Sequence, residues 1–167
     1  MKGFKEALNK VLDTIIYSLM VLSSAILFLV TLAQVISRFV FQMPIPWSTD
    51  IIRLTFVYSV FFGAAYTAKN NDHLNLDVVL DLLKPRTRRF VNALTFLLLT
   101  VFCLFLAYIG WQFTMKSGLV QRLPYLKLPM TVMYISIPIG GAAMAFYYAQ
   151  YAVRDFRALF SDAPDKK

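Results

Sequence analysis

This sequence is poor in the side chains that carry chemistry. Its 167 residues include one cysteine, one histidine and nine carboxylates, and each shortage removes a class of function. A lone cysteine, Cys103, forms neither an internal disulfide nor the thiol pair of a membrane oxidoreductase. A lone histidine, His73, cannot supply both axial ligands of a two-histidine haem anchor. The acids also avoid the apolar stretches, because residues 14–37, 90–115 and 128–153 run for 24, 26 and 26 residues without a charge. A proton-coupled exporter wants a carboxylate at membrane depth, so that reading falls. No nucleophile-and-base set lies in these runs either, which excludes an enzyme working there. What polarity they hold, Gln34, Asn92, Gln112 and hydroxyls, suits helix-to-helix hydrogen bonds worth ~0.6 kcal/mol each. Cys103 reads as a small packing residue. By elimination the chain is a non-enzymatic subunit that holds or positions something else, with no cofactor or metal of its own.

What is abundant is apolar surface. Hydrophobic residues make up 59% of the chain and charged ones 16%, against roughly 25% charged in soluble domains. A bilayer core of about 30 Å needs about 20 apolar helical residues, and each of the three runs is long enough. A fourth, residues 54–68, has only 15 uncharged positions. It spans if it starts near Trp47 and lets Arg53 snorkel outward or pair with Asp50. The expectation is an all-α membrane protein, one domain of four transmembrane helices at about 12–37, 47–68, 89–115 and 128–153, with a flexible polar tail at 160–167. Phe4, Ala7, Leu8 and Val11 fall at helical spacing, so residues 3–12 read as an amphipathic lead-in on the inner surface. The first run exceeds a signal-peptide core and lacks a small-x-small cleavage site, so it stays as a helix. With both termini in the cytoplasm, twelve of the seventeen basic residues lie inside, as the positive-inside rule requires. The net charge of +8 is then a topology signal. Nucleic acid is not an expected partner, since no water-soluble basic face exists to receive it.

Two constellations remain. The outer corner, "SRFVFQMPIPWSTDIIR", holds two prolines that bar helix, with Pro46 and Trp47 leading into helix 2 and Ser48 and Thr49 as cap candidates. Asp50 suits the positive end of that helix and stands three residues before Arg53. Arg38 either anchors helix 1 in the outer headgroups, contacts an extracytoplasmic partner, or fixes a bond across the turn. An outer loop carries Lys116, Arg122 and Lys127 together with Gly118, Pro124 and Pro129. The second constellation, "KNNDHLNLDVVLDLLKPRTRR", places His73, Asp77 and Asp81 four apart. At 100° per residue His73, Asp77, Asp81 and Lys84 share a sector between about 260° and 340°, the rest being mostly apolar. The stretch at 72–84 reads as a short amphipathic helix on the cytoplasmic surface. Arg86, Arg88 and Arg89 follow it and meet anionic headgroups of the lipid bilayer at about 1 kcal/mol per charge. A metal reading is open in principle, but Lys84 on the same face argues against a dication. Gly63, Ala64, Ala65 and Ala68 offer a face for close helix packing. Pro138, Gly140 and Gly141 read as a kink with close packing or as a broken-helix ligand site. Trp47, Trp111, Tyr108, Tyr125, Tyr147, Tyr148 and Tyr151 fall towards helix ends, as an interfacial aromatic belt would.

In order, Arg38, Pro46-Trp47, Asp50, Arg53, Gly63-Ala64-Ala65, His73 with Asp77, and the basic "KPRTRR" resemble the small membrane subunit of tripartite ATP-independent periplasmic (TRAP) transporters. "YISIPIG" near helix 4 is also similar. Thr49 stands where members often carry an acid. The resemblance implies a bacterial inner-membrane complex with a large elevator-type subunit, which binds the substrate and sodium, and with a periplasmic substrate-binding protein. The small subunit is implied to be a fixed scaffold for uptake of an organic acid of the C4-dicarboxylate or sialic acid type. Two other readings use the same surfaces: a membrane anchor for an enzyme or redox complex, and a small independent exporter that holds substrate at the Pro138 to Gly141 break.

Overall fold

A computed structural model describes residues 2–70 and 85–160. Five α-helices account for most of these residues: α1 (Lys2–Phe39), α2 (Ser48–Asn70), α3 (Pro85–Phe113), the one-turn α4 (Thr131–Tyr134) and α5 (Ser136–Phe160). A π-helical turn, Thr114–Gly118, extends α3. Among the described residues there is no strand, only a single bridge between Arg122 and Pro129. Four segments are long and apolar enough to cross a membrane: Val11–Phe39, Ser48–Lys69, Phe90–Gly118 and Thr131–Phe156. The expected surface helix at 72–84, with His73, Asp77 and Asp81, lies outside the described residues, as does the tail beyond residue 160.

The start of the chain differs from the expectation. Residues 3–12 do not form a separate lead-in, because α1 continues unbroken for 38 residues, about 57 Å at 1.5 Å per residue. Neither proline nor glycine interrupts it after Gly3, so nothing makes it bend or stop before the corner. Its end is closed by local bonds. Gln42 turns the chain with a positive φ of 53°, the Ser37 hydroxyl donates to the Met43 carbonyl at 2.5 Å, and the Met43 N–H donates to the Ser37 carbonyl at 3.2 Å.

The helices pack as an open row, α1 on α2, α2 on α5 and α5 on α3. Two apolar clusters sit in it. Ile16, Phe62, Ala65 and Tyr147 join α1, α2 and α5; Ala68, Phe96, Cys103, Ala145 and Tyr148 join α2, α3 and α5. A row gives α5 neighbours on two sides and leaves α1 at an edge. Accordingly 39% of the last span is buried and only 6% of the first. Large apolar side chains such as Leu22, Phe28 and Leu29 on α1 and Leu98, Phe102 and Phe105 on α3 therefore point outward, as a hydrocarbon environment or a membrane partner permits.

Small residues set how near α5 comes to its neighbours. A Cβ on Gly140 would lie 2.8 Å from the Phe61 Cβ, and one on Gly141 would lie 3.2 Å from the backbone nitrogen of Ala107. Gly110 of α3 is equally close, 2.7 Å from the Ile137 side chain. Gly63 is different: among the described residues nothing lies within 4 Å of its Cβ position. The break in the last span falls at Ile135, between α4 and α5, with Pro138 buried in the first turn of α5. Proline clashes with the carbonyl four residues earlier, here that of Tyr134, so the helix parts there. Span four begins at Thr131, three residues later than expected, because Leu128 and Pro129 belong to the preceding loop.

The aromatic reading needs correction. Tyr147 and Tyr148 are 6% and 4% exposed and form part of the core between helices, with Tyr148 stacked near Phe96. Trp47, Tyr108, Trp111 and Tyr125 remain about half exposed or more.

Candidate functional site

One end of the row carries the outer corner. α2 starts at Ser48, whose hydroxyl donates to the Ile45 carbonyl at 2.6 Å, so the hydroxyl ties the helix back to the proline turn. Two residues on, Asp50 is 1% exposed. Its carboxylate oxygen Oδ2 accepts from the backbone N–H groups of Tyr125 at 2.8 Å and Leu126 at 2.9 Å. The sequence alone pointed Asp50 at Arg53; in the fold the carboxylate is turned to the outer loop, and no ion pair joins the two among the described residues.

The loop explains why a carboxylate is wanted. Leu123 and Leu128 are paired through the Leu123 N–H and the Leu128 carbonyl at 2.8 Å, and the Lys127 N–H returns to the Leu123 carbonyl at 3.0 Å. The four residues between them make one helical turn, finished by Lys127 at φ 56°, a known geometry for a four-residue hairpin loop. A single helical turn leaves its first N–H groups without internal partners, and Asp50 supplies an acceptor for two of them. Leu123, 1% exposed, plugs the space beneath. Further ties hold the loop to the row. The Tyr58 hydroxyl donates to the Val132 carbonyl at 2.8 Å, and Gly118 approaches Thr131 so closely that a Cβ would lie 2.9 Å from its Cα. The Thr131 hydroxyl is buried there, with no hydrogen-bond partner among the described residues.

Around this fixed corner the basic side chains are free to face outward. Arg38, Arg53, Lys116, Arg122 and Lys127 are all exposed, as are Pro46 and Trp47. Val120 (80% exposed), Phe41 and Met43 stand among them, so the end presents apolar side chains rimmed with positive charge. Asp50 is the exception in this group, being internal.

The opposite end holds a constellation that the sequence reading missed. Asp13 of α1 accepts from the Tyr147 hydroxyl of α5 at 2.7 Å and pairs with the Lys69 ammonium of α2 at 2.8 Å. The Tyr151 hydroxyl donates to the Lys69 carbonyl, and the Lys69 ammonium lies 5.7 Å from the Tyr66 ring. One carboxylate thus links three helices. The signal was available, since Asp13 and Lys69 each bound an apolar run at the same expected depth, but nothing in one dimension aligned them with Tyr147. Of the other expected residues at this end, Arg86, Arg88 and Arg89 stand in the first turns of α3.

Among the described residues no three of histidine, cysteine, aspartate and glutamate gather to hold a metal ion. Buried polar groups are instead spent on ties between helices and loops, with Ser24 and Ser59 bonded at 2.8 Å between α1 and α2 as another case.

Comparison with known proteins agrees with this picture. The chain is 31% identical over 107 residues to the C4-dicarboxylate TRAP transporter small permease protein DctQ of Rhodobacter capsulatus, a match covering 64% of this chain and 47% of that protein. It therefore spans about half the length of that relative. It is 25% identical over 154 residues to the ectoine TRAP transporter small permease protein TeaB of Halomonas elongata, covering 92% and 78% of the two chains. It is also 36% identical over 81 residues to the sialic acid TRAP transporter permease protein SiaT of Haemophilus influenzae, where the match is 48% of this chain but 13% of that longer one. The family of tripartite ATP-independent periplasmic transporters, DctQ component, matches residues 27–158, and with most of its length inside that match this four-span chain belongs to the family.

Proposed function

We propose that this chain is the non-catalytic scaffold subunit of a sodium-driven TRAP transporter that imports an organic acid across the bacterial inner membrane. The observation that carries the reading is the use of polarity. Asp50, Asp13, Lys69, Tyr58 and Tyr147 are engaged in tying helices and a loop together, while wide apolar faces on α1 and α3 stay uncovered among the described residues. A frame needs fixed joints and surfaces to pack against, and a transport path needs polar groups aimed at an ion or substrate. In this reading both termini are cytoplasmic, the Arg38 end is periplasmic, and sodium and substrate bind a large elevator-type membrane subunit packed beside this one. Names among the relatives support a carboxylate-type cargo such as a C4-dicarboxylate or a sialic acid, with ectoine as a zwitterionic variant. That a longer permease contains a segment similar to this chain supports a large partner.

Arg38, Pro46, Trp47, Arg53, Lys116, Arg122 and Lys127 then face a periplasmic binding protein, with Asp50 holding the loop that presents them. Residues 72–84, with His73, Asp77 and Asp81, brace the frame at the cytoplasmic surface.

Reconstitution in proteoliposomes tests the reading. With the large subunit and loaded binding protein, uptake follows a sodium gradient; this chain alone takes up no carboxylate. Uptake by this chain alone would sink the proposal. Arg38→Glu lowers uptake at limiting binding-protein concentration while the two membrane subunits still co-purify, and unchanged uptake under that condition would remove Arg38 from the docking surface. Mass identification of native partners distinguishes a transporter frame from an anchor for an enzyme or redox complex.

A further inference from the structure

The end of the row that carries the outer corner exposes charge of one sign only. Residues 37–56 and 111–135 contain five basic side chains, Arg38, Arg53, Lys116, Arg122 and Lys127, and a single acid, Asp50. All five cations are exposed, and none enters an ion pair among the described residues. The one carboxylate is buried and already engaged by the Tyr125 and Leu126 N–H groups, so no anion balances the cations at the surface of this end. A water-facing surface ordinarily mixes both signs. Three of the five cations stand on or beside one hairpin, in which the Met130 N–H donates to the Gln121 carbonyl at 2.9 Å and the Leu123 N–H to the Leu128 carbonyl at 2.8 Å. Val120, 80% exposed, lies between Lys116 and Arg122 along the chain. Asp50 holds the tip of the hairpin, and the bond from the Tyr58 hydroxyl to Val132 holds its exit. The group is therefore presented in one geometry.

Seating in lipid headgroups accounts for exposed basic residues but asks for no rigid support, since long side chains reach phosphates from a loop of any conformation. A fixed hairpin with an exposed apolar side chain amid cations has instead the build of a protein recognition site, apolar at its centre and charged at its rim. Support already in place lowers the ordering cost of association. We infer that residues 121–130 and the π-helical turn before them dock on an acidic face of the periplasmic binding protein, with Val120 entering an apolar recess and Lys116, Arg122 and Lys127 paired to carboxylates around it. A small organic anion is the competing ligand, and it has no use for the exposed valine. Charge of one sign then governs the speed of encounter, and Val120 governs its lifetime. This assignment rests on the proposed function in taking this end to meet a binding protein, and it adds the partner's chemistry and the element that touches it.

Association of the loaded binding protein that supports uptake, measured on the two membrane subunits in nanodiscs of zwitterionic lipid, tests the site. For the wild type the association rate falls about ten-fold or more from ~0.01 M to ~1 M salt, as the screening length contracts from about 30 to about 3 Å. Lys116→Gln with Arg122→Gln and Lys127→Gln associates about ten-fold or more slowly at low salt and loses most of that salt dependence. The Tyr125 and Leu126 amides of this variant exchange at the wild-type rate, because the hairpin keeps its ties. Val120→Ser acts on the other rate, raising dissociation about three-fold or more. Arg122→Glu weakens binding, and reversing one Asp or Glu of the binding protein to Lys restores it, a rescue that loss of the hairpin's structure would not allow. A triple variant that associates within about two-fold of the wild type at low salt, as side chains seated only in headgroups would, overturns the inference. Failure of every such reversal to rescue Arg122→Glu overturns it too. Either result, with uptake still dependent on the binding protein, leaves the proposed function standing, whereas uptake that needs no binding protein overturns both.

Discussion

Removing the carboxylate of Asp50 is the sharpest perturbation of the corner. Its Oδ2 accepts two backbone N–H groups at 2.8 and 2.9 Å from within a nearly closed environment, and hydrogen bonds to a charged group contribute roughly 1.5–3 kcal/mol each. Asp50→Ala leaves both N–H groups without that partner. At the lower bound, because the Leu123 and Leu128 pairing remains, the loop loses about 3 kcal/mol of local stability. The charge in the first turn of α2 contributes a further 0.3–1 kcal/mol or so to the helix itself. Since about 1.4 kcal/mol is a factor of ten, the amides of Tyr125 and Leu126 in Asp50→Ala exchange with solvent on the order of a hundred times faster by hydrogen exchange of the purified complex. Both bonds end on one oxygen, so Asp50→Asn, which keeps one oxygen and loses the charge, costs about 1 kcal/mol and gives a rise of tenfold or less. Exchange at these amides within twofold of the wild type in Asp50→Ala would refute the reasoning. So would a rise spread equally over α1 and α5, since the tie acts on one loop.

Three further outcomes follow from the packing. Gly140→Ala forces a Cβ to within 2.8 Å of Phe61 and lowers unfolding stability by about 1–3 kcal/mol, while Gly63→Ala, which meets nothing within 4 Å, is neutral or stabilising by up to about 1 kcal/mol; thermal unfolding in one detergent compares them. Asp13→Ala and Lys69→Met each destabilise the row, and a double-mutant cycle by denaturant unfolding returns a coupling of about 1 kcal/mol between them. Tyr147→Phe removes only the hydroxyl that donates to Asp13 and costs about 1 kcal/mol, whereas Tyr148→Ala opens the cluster with Phe96 and Cys103 and costs roughly 3–5 kcal/mol. Equal effects of the two tyrosine substitutions would show that Tyr148 does not pack the core.

The spans were legible because a span is a one-dimensional property: a helix of sufficient length and hydropathy, bounded by charge, is recognised without knowing its neighbours. Even the marginal second span obeyed this, with Arg53 left exposed near the start of α2. The order of family-like residues from Arg38 to the arginines before Phe90 was likewise visible along the chain. Local breaks were half legible. Pro138 announced a discontinuity, but its position at Ile135 follows from which carbonyl the ring displaces.

Partnership was a different matter. Asp50 stands three residues from Arg53 and 75 from Tyr125, and only the fold makes the distant pair the real one. Tyr147 and Tyr148 resemble belt residues until α5 is seen to lie between α2 and α3. Asp13, Lys69 and Tyr147 come from three helices and share no motif. Gly63 and Gly140 are equivalent as letters, yet one faces open space and the other Phe61. Hydropathy and helical period determined that this chain forms four apolar helices and is poor in chemistry along them. Which polar groups meet, which small residues admit a neighbour and which faces stay uncovered were decided by the arrangement of helices in the row, because those depend on distances between residues that the chain itself keeps far apart.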